Sequence, residues 1–507
     1  MTTTLETAQP QLIHALLTDP ACYDHSVGKV QLIETHISWV LLTGEFAYKI
    51  KKPVDLGFLD FSTLAKRQQA CADEVRLNRR LAAEIYLGVV AITGSAAAPR
   101  INGSFINDQS EAIEYAVKMR QFPPDATLDR LAERGELGNL QIDQLAARLA
   151  RFHLSECPSA PANSVWGEPE TIARAVAENF QLLAGRLKDP AELRLLATLQ
   201  NWSVAEHERL TPLMCERKHL GKVRECHGDL HLGNLAWVNG QLIIFDCIEF
   251  NPALRWIDVM SEVAFCYMDL LHWKHRDLAF RFLNAWLEAS GDYQGVALLR
   301  YYAVYRAMVR AKVAALRAEQ SSGGKAEVSD CIQLAEQLTL TAPPQLWITR
   351  GLSGSGKTTL SQSVLQQQGM VRLRSDVERK RLAGMAGTAS SGSGIAEGLY
   401  TQEVSRHTYA HLAKLTEGLL DASWPVIVDA AFLARWQRDL FREIAQRRSV
   451  RFQILDIQAD IVTLRQRVSM RAAQGKDASE ADLRVLQHQL ETNQPLGDDE
   501  LYFQTSV

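Results

Sequence analysis

The stretch GLSGSGKT, residues 351–358, constrains the fold of this chain more than any other. It satisfies G-x-x-x-x-G-K-[ST] at every fixed position, between the apolar run LWIT and the helix-forming run TTLSQSVLQQ. Glycines let the backbone curl until successive N–H groups point inward, and the following helix turns its partially positive N-terminus on the same spot. Gly351, Gly354, Ser355 and Gly356 make the curl. Lys357 is placed to meet the β/γ-phosphates of a nucleoside triphosphate, Thr358 to ligate Mg²⁺, and Thr359 to continue the cradle into the helix. The order beyond it is strand (346–350), turn, helix (357–368), strand (370–374), helices, strand (426–430), helix, strand (451–457), helix. Alternation of this kind predicts a parallel sheet with crossover helices.

Three features accompany the cradle. In RSDVERK, Asp376 and Arg379 have D-x-x-R spacing at the carboxyl edge of the second strand, where α/β sites lie. The carboxylate can take a proton from an attacking hydroxyl and the guanidinium can steer an anionic group. A surface salt bridge is the competing reading. VIVDAAF ends its apolar run on Asp429, suited to hold Mg²⁺ through water or to cap the strand end. Arg467 and Arg471, four apart in LRQRVSMR, share a helix face and either close over the phosphoryl group or form a solvated basic face. With these motifs, residues 345–507 resemble the P-loop kinases that include polynucleotide kinases, zeta-type toxins and AAA-type small kinases.

About 120 residues upstream stands HGDLHLGN, between the strand-like KVREC and LAWV. Asp229 and Asn234 have D-x-x-x-x-N spacing, and Asp246 ends the strand LIIFD. Phosphoryl transfer needs positioning and charge neutralisation. One carboxylate, Asp229, can orient a hydroxyl and take its proton, while Asn234 and Asp246 offer the hard oxygens Mg²⁺ prefers. His227 and His231 could ligate a metal but are read as packing the loop. Such a loop calls for a phosphate-binding lysine, and FAYK supplies Ala47 and Lys49 at A-x-K spacing on one strand face, with Lys51 as runner-up. Glu74 in the next helix is the expected partner, Glu84 the second choice, and a hinge strand ending at Met119 would meet the adenine edge. Ser62 is the expected cap of that helix. HGDLHLGN and FDCIEF resemble the aminoglycoside phosphotransferase family, a branch of the protein-kinase-like fold, over residues 30–340. No G-x-G-x-x-G precedes Lys49.

The expected architecture is multi-domain, α/β and α+β. A bilobal protein-kinase-like domain fills 1–340, with an N-lobe at 1–118, a hinge at 119–124 and a helical C-lobe at 125–340. A P-loop domain with a doubly wound parallel sheet fills 345–507, and TAPPQ marks the joint. The tandem order resembles bacterial bifunctional aminoglycoside phosphotransferase/ATP-binding proteins. The resemblance implies two ATP- and Mg²⁺-dependent kinase sites acting on a small-molecule hydroxyl. Two alternatives stay open for the C-terminal part, a regulatory ATP switch and a kinase of polynucleotide ends.

Composition argues against the nucleic-acid alternative. The net charge is −4, with 20 Lys+Arg against 18 Asp+Glu from residue 345 onward and 35 against 41 before it. No basic, aromatic-interleaved stripe stands out. The 8 cysteines form no C-x-x-C pair, no secretory leader opens the chain, and no apolar run approaches membrane-span length. A cytoplasmic enzyme without a membrane partner is the expectation.

Overall fold

A computed structural model describes residues 3–57, 59–105, 112–318, 324–341, 343–385, 401–474 and 481–505. They fall into two compact units. The first combines Met1–Leu137, Ser155–Glu168 and Cys215–Glu262, and the second combines Gly138–Leu154, Pro169–Met214 and Val263–Val507.

The first unit is built on six strands, β1 (Gln31–Glu34), β2 (Ser38–Leu42), β3 (Phe46–Lys51), β4 (Tyr86–Ser95), β5 (Ala98–Phe105) and β6 (Glu114–Arg120), ordered β1-β2-β3-β6-β4-β5. All neighbours are antiparallel. The β2–β3 hairpin turns at Thr43-Gly44, where Gly44 has φ 101°, a conformation glycine adopts without a Cβ penalty. Helix α1 (Thr3–Thr18) packs Leu12, Ile13 and Leu16 against Tyr48, Ile50, Val90 and Ile92. Alternation then turns Ala47, Lys49 and Lys51 to the other face, towards helix α2 (Leu64–Ala82). The cap of α2 is Thr63, whose Oγ1 accepts the Lys66 N–H at 3.3 Å. Ser62 is not the cap, because its amide and hydroxyl both bond Asp60 Oδ1, so the helix starts one residue later.

Two short ribbons complete this unit. β7 (Val223–Glu225) pairs with β10 (Trp256–Asp258), and β8 (Leu235–Val238) pairs with β9 (Gln241–Ile244). Glu225 anchors the first ribbon to α2 through Arg76 and Arg80 at 3.3 Å each, and also takes Arg255 at 3.0 Å. Burial pushes the Glu225 carboxyl up, but the guanidiniums outweigh it and hold it below its ordinary value. A carboxyl depressed in the folded state contributes stability above its ordinary 4.5 and loses it as pH falls through the folded value. Glu225→Gln should therefore be less stable than wild type at pH 7 and fall less steeply below pH 4.5 in urea unfolding; an unchanged acid slope would refute this.

The second unit holds five parallel strands, β11 (Gln345–Arg350), β12 (Val371–Arg374), β13 (Val426–Asp429), β14 (Arg451–Asp456) and β15 (Gln504–Thr505), ordered β12-β13-β11-β14-β15. β11, fully flanked, is apolar at Leu346, Trp347 and Ile348, as a strand covered on both faces must be. Helices Lys357–Gln368, Ser375–Leu382 and Gln402–Asp421 intervene between the strands. The same unit contains the helices Arg276–Ser290, Val296–Ala318 and Gly324–Thr339. The Ser/Gly-rich run at 384–394 lies outside the described residues from 386 on. Among the described residues no helix is long and apolar enough to cross a membrane. All eight cysteines are free, with Cys226 and Cys247 buried.

Candidate active sites

In the first unit, β3 and α2 bring Lys49 to Glu74. Lys49 Nζ donates to Glu74 Oε1 at 2.9 Å and to Asp246 Oδ1 at 2.5 Å. Burial pulls the ammonium down, yet Asp246 and Glu74 outweigh it and hold Lys49 well above its ordinary range. The same pairing holds Asp246 below the usual carboxylate range against burial. Lys51, the runner-up, belongs to this cluster too. Its fully buried Nζ reaches Glu74 Oε2 at 2.5 Å and pairs with Glu249. Glu74 thus carries one lysine on each oxygen. Glu84 is exposed at the end of α2 and is absent from the cluster.

Asp246 has φ 65°, a left-handed conformation that costs a non-glycine residue about 1–3 kcal/mol. Its surroundings enforce it. The Asp246 N–H donates to Tyr86 Oη at 3.1 Å, and the Cys247 N–H donates to Asn78 Oδ1 at 2.9 Å. The HGDLHLGN loop joins β7 to β8 beside it. Asn234 Nδ2 donates to the Asp229 carbonyl at 2.9 Å and to Asp229 Oδ2 at 3.1 Å, and the Asn234 carbonyl accepts the Phe245 N–H at 3.0 Å. Buried His227 packs the loop as expected: Nε2 lies 2.7 Å from the Phe245 carbonyl, and Nδ1 accepts the Asp229 N–H. Burial lowers its pKa, which favours the neutral ring these bonds require. His231 accepts the Gly233 N–H through Nδ1 and stands 3.4 Å from Asp229 through Nε2. Met119 sits on β6 opposite both Ala47 and Tyr86.

Glu262 stands in the first turn of helix Val259–His272. It is buried, and its Oε1 accepts the His227 and Gly228 N–H groups at 2.6 and 2.8 Å. Glu262→Ala strands two buried donors, each worth about 1–3 kcal/mol. That loss should appear in urea unfolding, and Glu262→Gln should recover most of it because an amide oxygen can accept the same bonds; equal losses for both variants would refute the role.

In the second unit, a cavity of about 420 Å³ gathers Lys357, Thr358, Asp376, Arg379, Asp429 and Arg467. Gly354, Gly356 and Thr359 also line it. Gly354 and Gly356 have φ 84° and 102°, and a Cβ at Gly351 would lie 2.4 Å from the Ile457 carbonyl. Only glycine satisfies these positions. Gly351 and buried Ser355 are not among the residues that line the cavity, and the Ser355 N–H donates to the Leu352 carbonyl. Lys357 Nζ donates to the Leu352 carbonyl at 2.9 Å, and Arg467 Nη1 to the Gly354 and Ser355 carbonyls at 3.3 and 3.4 Å. Ser361 Oγ donates to the Thr358 carbonyl at 3.1 Å and lies 3.3 Å from Asp429 Oδ2, joining the two expected Mg²⁺ positions. Arg379 and Asp376 pair at 3.4 Å. The side chain of Arg471 lies outside the described residues.

Residues 346–496 match the AAA domain family. Over 472 residues the chain is 29% identical to uncharacterized proteins of Mycobacterium tuberculosis and Mycobacterium bovis, with 91% of each chain covered. Among solved structures, an ethanolamine kinase of Plasmodium vivax is similar at TM-score 0.38 and 11% identity, covering 62% of this chain and 82% of that one. A choline/ethanolamine kinase family protein of Mesorhizobium loti gives TM-score 0.38 at 10% identity, covering 67% and 96%. A gluconokinase of Sinorhizobium meliloti gives TM-score 0.23 at 21% identity, covering 31% and 79%.

Several residues around these sites escaped the sequence reading. Glu249 was visible in FDCIEF, three residues past Asp246, but nothing local tied it to Lys51. Tyr86 and Asn78, which hold the Asp246 backbone, lie about 160 residues upstream and carry no motif. Tyr409, His488 and Gln489 line the second cavity from helices outside the quoted motifs, and Gln489 Oε1 accepts the Ser353 N–H at 2.8 Å.

Proposed function

We propose that the chain is a tandem ATP-dependent phosphotransferase, each site moving the γ-phosphoryl group to a hydroxyl of a small molecule such as a sugar, nucleoside or sugar-like metabolite. The observation that carries this reading is the convergence of Lys49, Glu74 and Asp246, from β3, α2 and the end of β9, beside the loop holding Asp229 and Asn234. Charge supports it. Two ammonium groups, Lys49 and Lys51, pair with three carboxylates, Glu74, Asp246 and Glu249, and the Asp229 charge acts on Asp246 as a fourth. The negative excess suits a divalent cation, and Asn234 and Asp246 are hard oxygen donors of the type Mg²⁺ takes. In the second cavity, the glycine curl, the Lys357 ammonium, the Thr358 hydroxyl and the Asp429 carboxylate suit a triphosphate with its ion in the same way.

In the first site Lys49 binds the nucleotide phosphates and Glu74 fixes its direction. Met119, on the strand leading to the hinge, borders the adenine. Asp229 orients the acceptor hydroxyl and receives its proton as the oxygen attacks phosphorus. In the second, the backbone from Gly351 to Gly356 with Lys357, Thr358 and Thr359 holds the phosphates. Asp376 is the base there, and Arg379, Arg467 and Arg471 contact anionic groups. Mg²⁺, held by Asn234 and Asp246 or by Thr358 and Asp429, would neutralise charge on the transferring group.

The test is a screen of metabolite pools for ATP-dependent phosphorylation with wild type, Asp229→Ala and Lys357→Ala. Each variant should erase a different product. Survival of all products in both overturns the reading. Loss of activity on Lys357→Ala but not on Asp376→Ala would assign the second site a regulatory role instead.

A further inference from the structure

The matched segment 346–496 does not supply all the side chains around its own phosphate cradle. Helix Arg276–Ser290, from the preceding part of the second unit, lies along β12, an edge strand of the parallel sheet. An edge strand presents backbone groups without ladder partners. Asn284 meets them: its Nδ2 donates to the Met370 carbonyl at 2.9 Å and its Oδ1 accepts the Arg372 N–H at 2.6 Å. Arg276 donates to the carbonyls of Gln367 and Gln368, the C-terminal end of the cradle helix. One turn beyond Asn284 comes Glu288, with only 16% of its side chain exposed.

Glu288 closes a ring of side chains. Its Oε1 takes Arg372 at 2.5 Å and its Oε2 takes Arg374 at 3.2 Å. Arg372 Nη1 continues to the Thr358 carbonyl at 3.3 Å and to Ser361 Oγ at 3.2 Å. Ser361 reaches Asp429, and Arg374 Nε stands 3.8 Å from Asp429 Oδ2. Arg374 also lines the cradle cavity. Arg374 therefore stands between Glu288 and Asp429, with the Asp376 charge also acting on it, and its contact with Glu288 is closer than that with Asp429. Burial pushes the Glu288 carboxyl up, but Arg372 and Arg374 outweigh it, so the group stays charged.

We infer that Glu288 is a positioning residue of the second phosphate site, drawing Arg374 away from Asp429 so that the Asp429 carboxylate remains available to a divalent cation. This rests on reading the cavity as a metal–nucleotide site. Groups that orient a metal's ligands typically carry 10–100-fold in metal affinity. With Glu288 neutralised, the Arg374 guanidinium is left to the Asp429 and Asp376 carboxylates and competes with the cation at Asp429.

The experiment uses full-length protein carrying Asp246→Asn, so that only the second site takes metal–nucleotide. ATP binding is followed by calorimetry against free Mg²⁺. Lys357→Ala on this background should weaken the binding about 10- to 100-fold. Glu288→Gln should raise the Mg²⁺ concentration for half-maximal ATP binding about tenfold, with metal-free ADP binding unchanged. Adding Arg374→Gln to Glu288→Gln should bring the requirement back down, which a misfolded variant cannot do. Asn284→Ala, which weakens the same contact without touching the ring, should lower the Tm and leave the Mg²⁺ requirement alone. An unchanged requirement in Glu288→Gln overturns the proposal, as does an equal rise in Asn284→Ala. Absence of any Lys357-dependent binding overturns the reading of the cavity, and the proposal with it.

Discussion

Asp229→Asn should lower kcat for the first site by about 10²–10⁴-fold and leave ATP affinity close to wild type. The reason is the division of labour in the cluster. In the proposed function Lys49, fixed by Glu74, binds the nucleotide, Asn234 and Asp246 hold the cation, and Asp229 meets the acceptor. Its carbonyl and Oδ2 are both held by Asn234 Nδ2, and an amide at position 229 keeps an oxygen there. The loop should therefore persist while the proton acceptor is lost. Single-turnover transfer from labelled ATP to the acceptor found in the metabolite screen reads kcat, and calorimetry reads ATP binding. If Asp229→Asn turns over as fast as wild type, Asp229 is not the base. If ATP affinity collapses along with turnover, the residue serves the nucleotide instead.

Lys357→Ala should weaken ATP binding at the second site by about 10- to 100-fold, the range expected for a lost hydrogen bond to a charged group. Lys357 donates to the Leu352 carbonyl across the curl of its own loop, a position from which it can swing to a phosphate without disturbing the helix it opens. The glycine turns do not depend on it, because glycine adopts the positive φ of Gly354 and Gly356 without a Cβ penalty. The fold should survive the substitution, and the Tm should move little. Binding measured in the Asp246→Asn background isolates this cavity. Unchanged affinity would remove the phosphate role from Lys357. A large fall in Tm would mean that the lysine holds the loop rather than the ligand.

How far the sites were legible depended on how local their chemistry is. GLSGSGKT was legible because a glycine curl of this kind is a property of eight consecutive residues and the helix they open. HGDLHLGN is nearly as compact, and its spacing to Asp246 spans one short ribbon. Failures occurred where an alternative of similar local merit had to be decided by distant groups. Ser62 and Thr63 both cap well in isolation, and Asp60 claims Ser62. Lys49 and Lys51 share a strand face, and the sequence ranks them without showing that one carboxylate holds both. Glu262 reads as a polar position on a helix, and only the burial of two loop N–H groups beneath it explains a charged side chain there.

The sequence by itself determined two compact loops, GLSGSGKT and HGDLHLGN, and which residues within each can bear charge, because turn geometry and residue spacing act over a few bonds. It also determined the parallel sheet after residue 345, because alternating strands and helices leave few other ways to pair. Only the tertiary structure decided how the charges are shared: Glu74 between two lysines, Asp246 between Lys49 and a strained backbone, Arg374 between Glu288 and Asp429. Those pairings join residues up to about 200 positions apart. A buried charge is stable only beside a partner, and nothing in the local sequence says which partner the fold will bring.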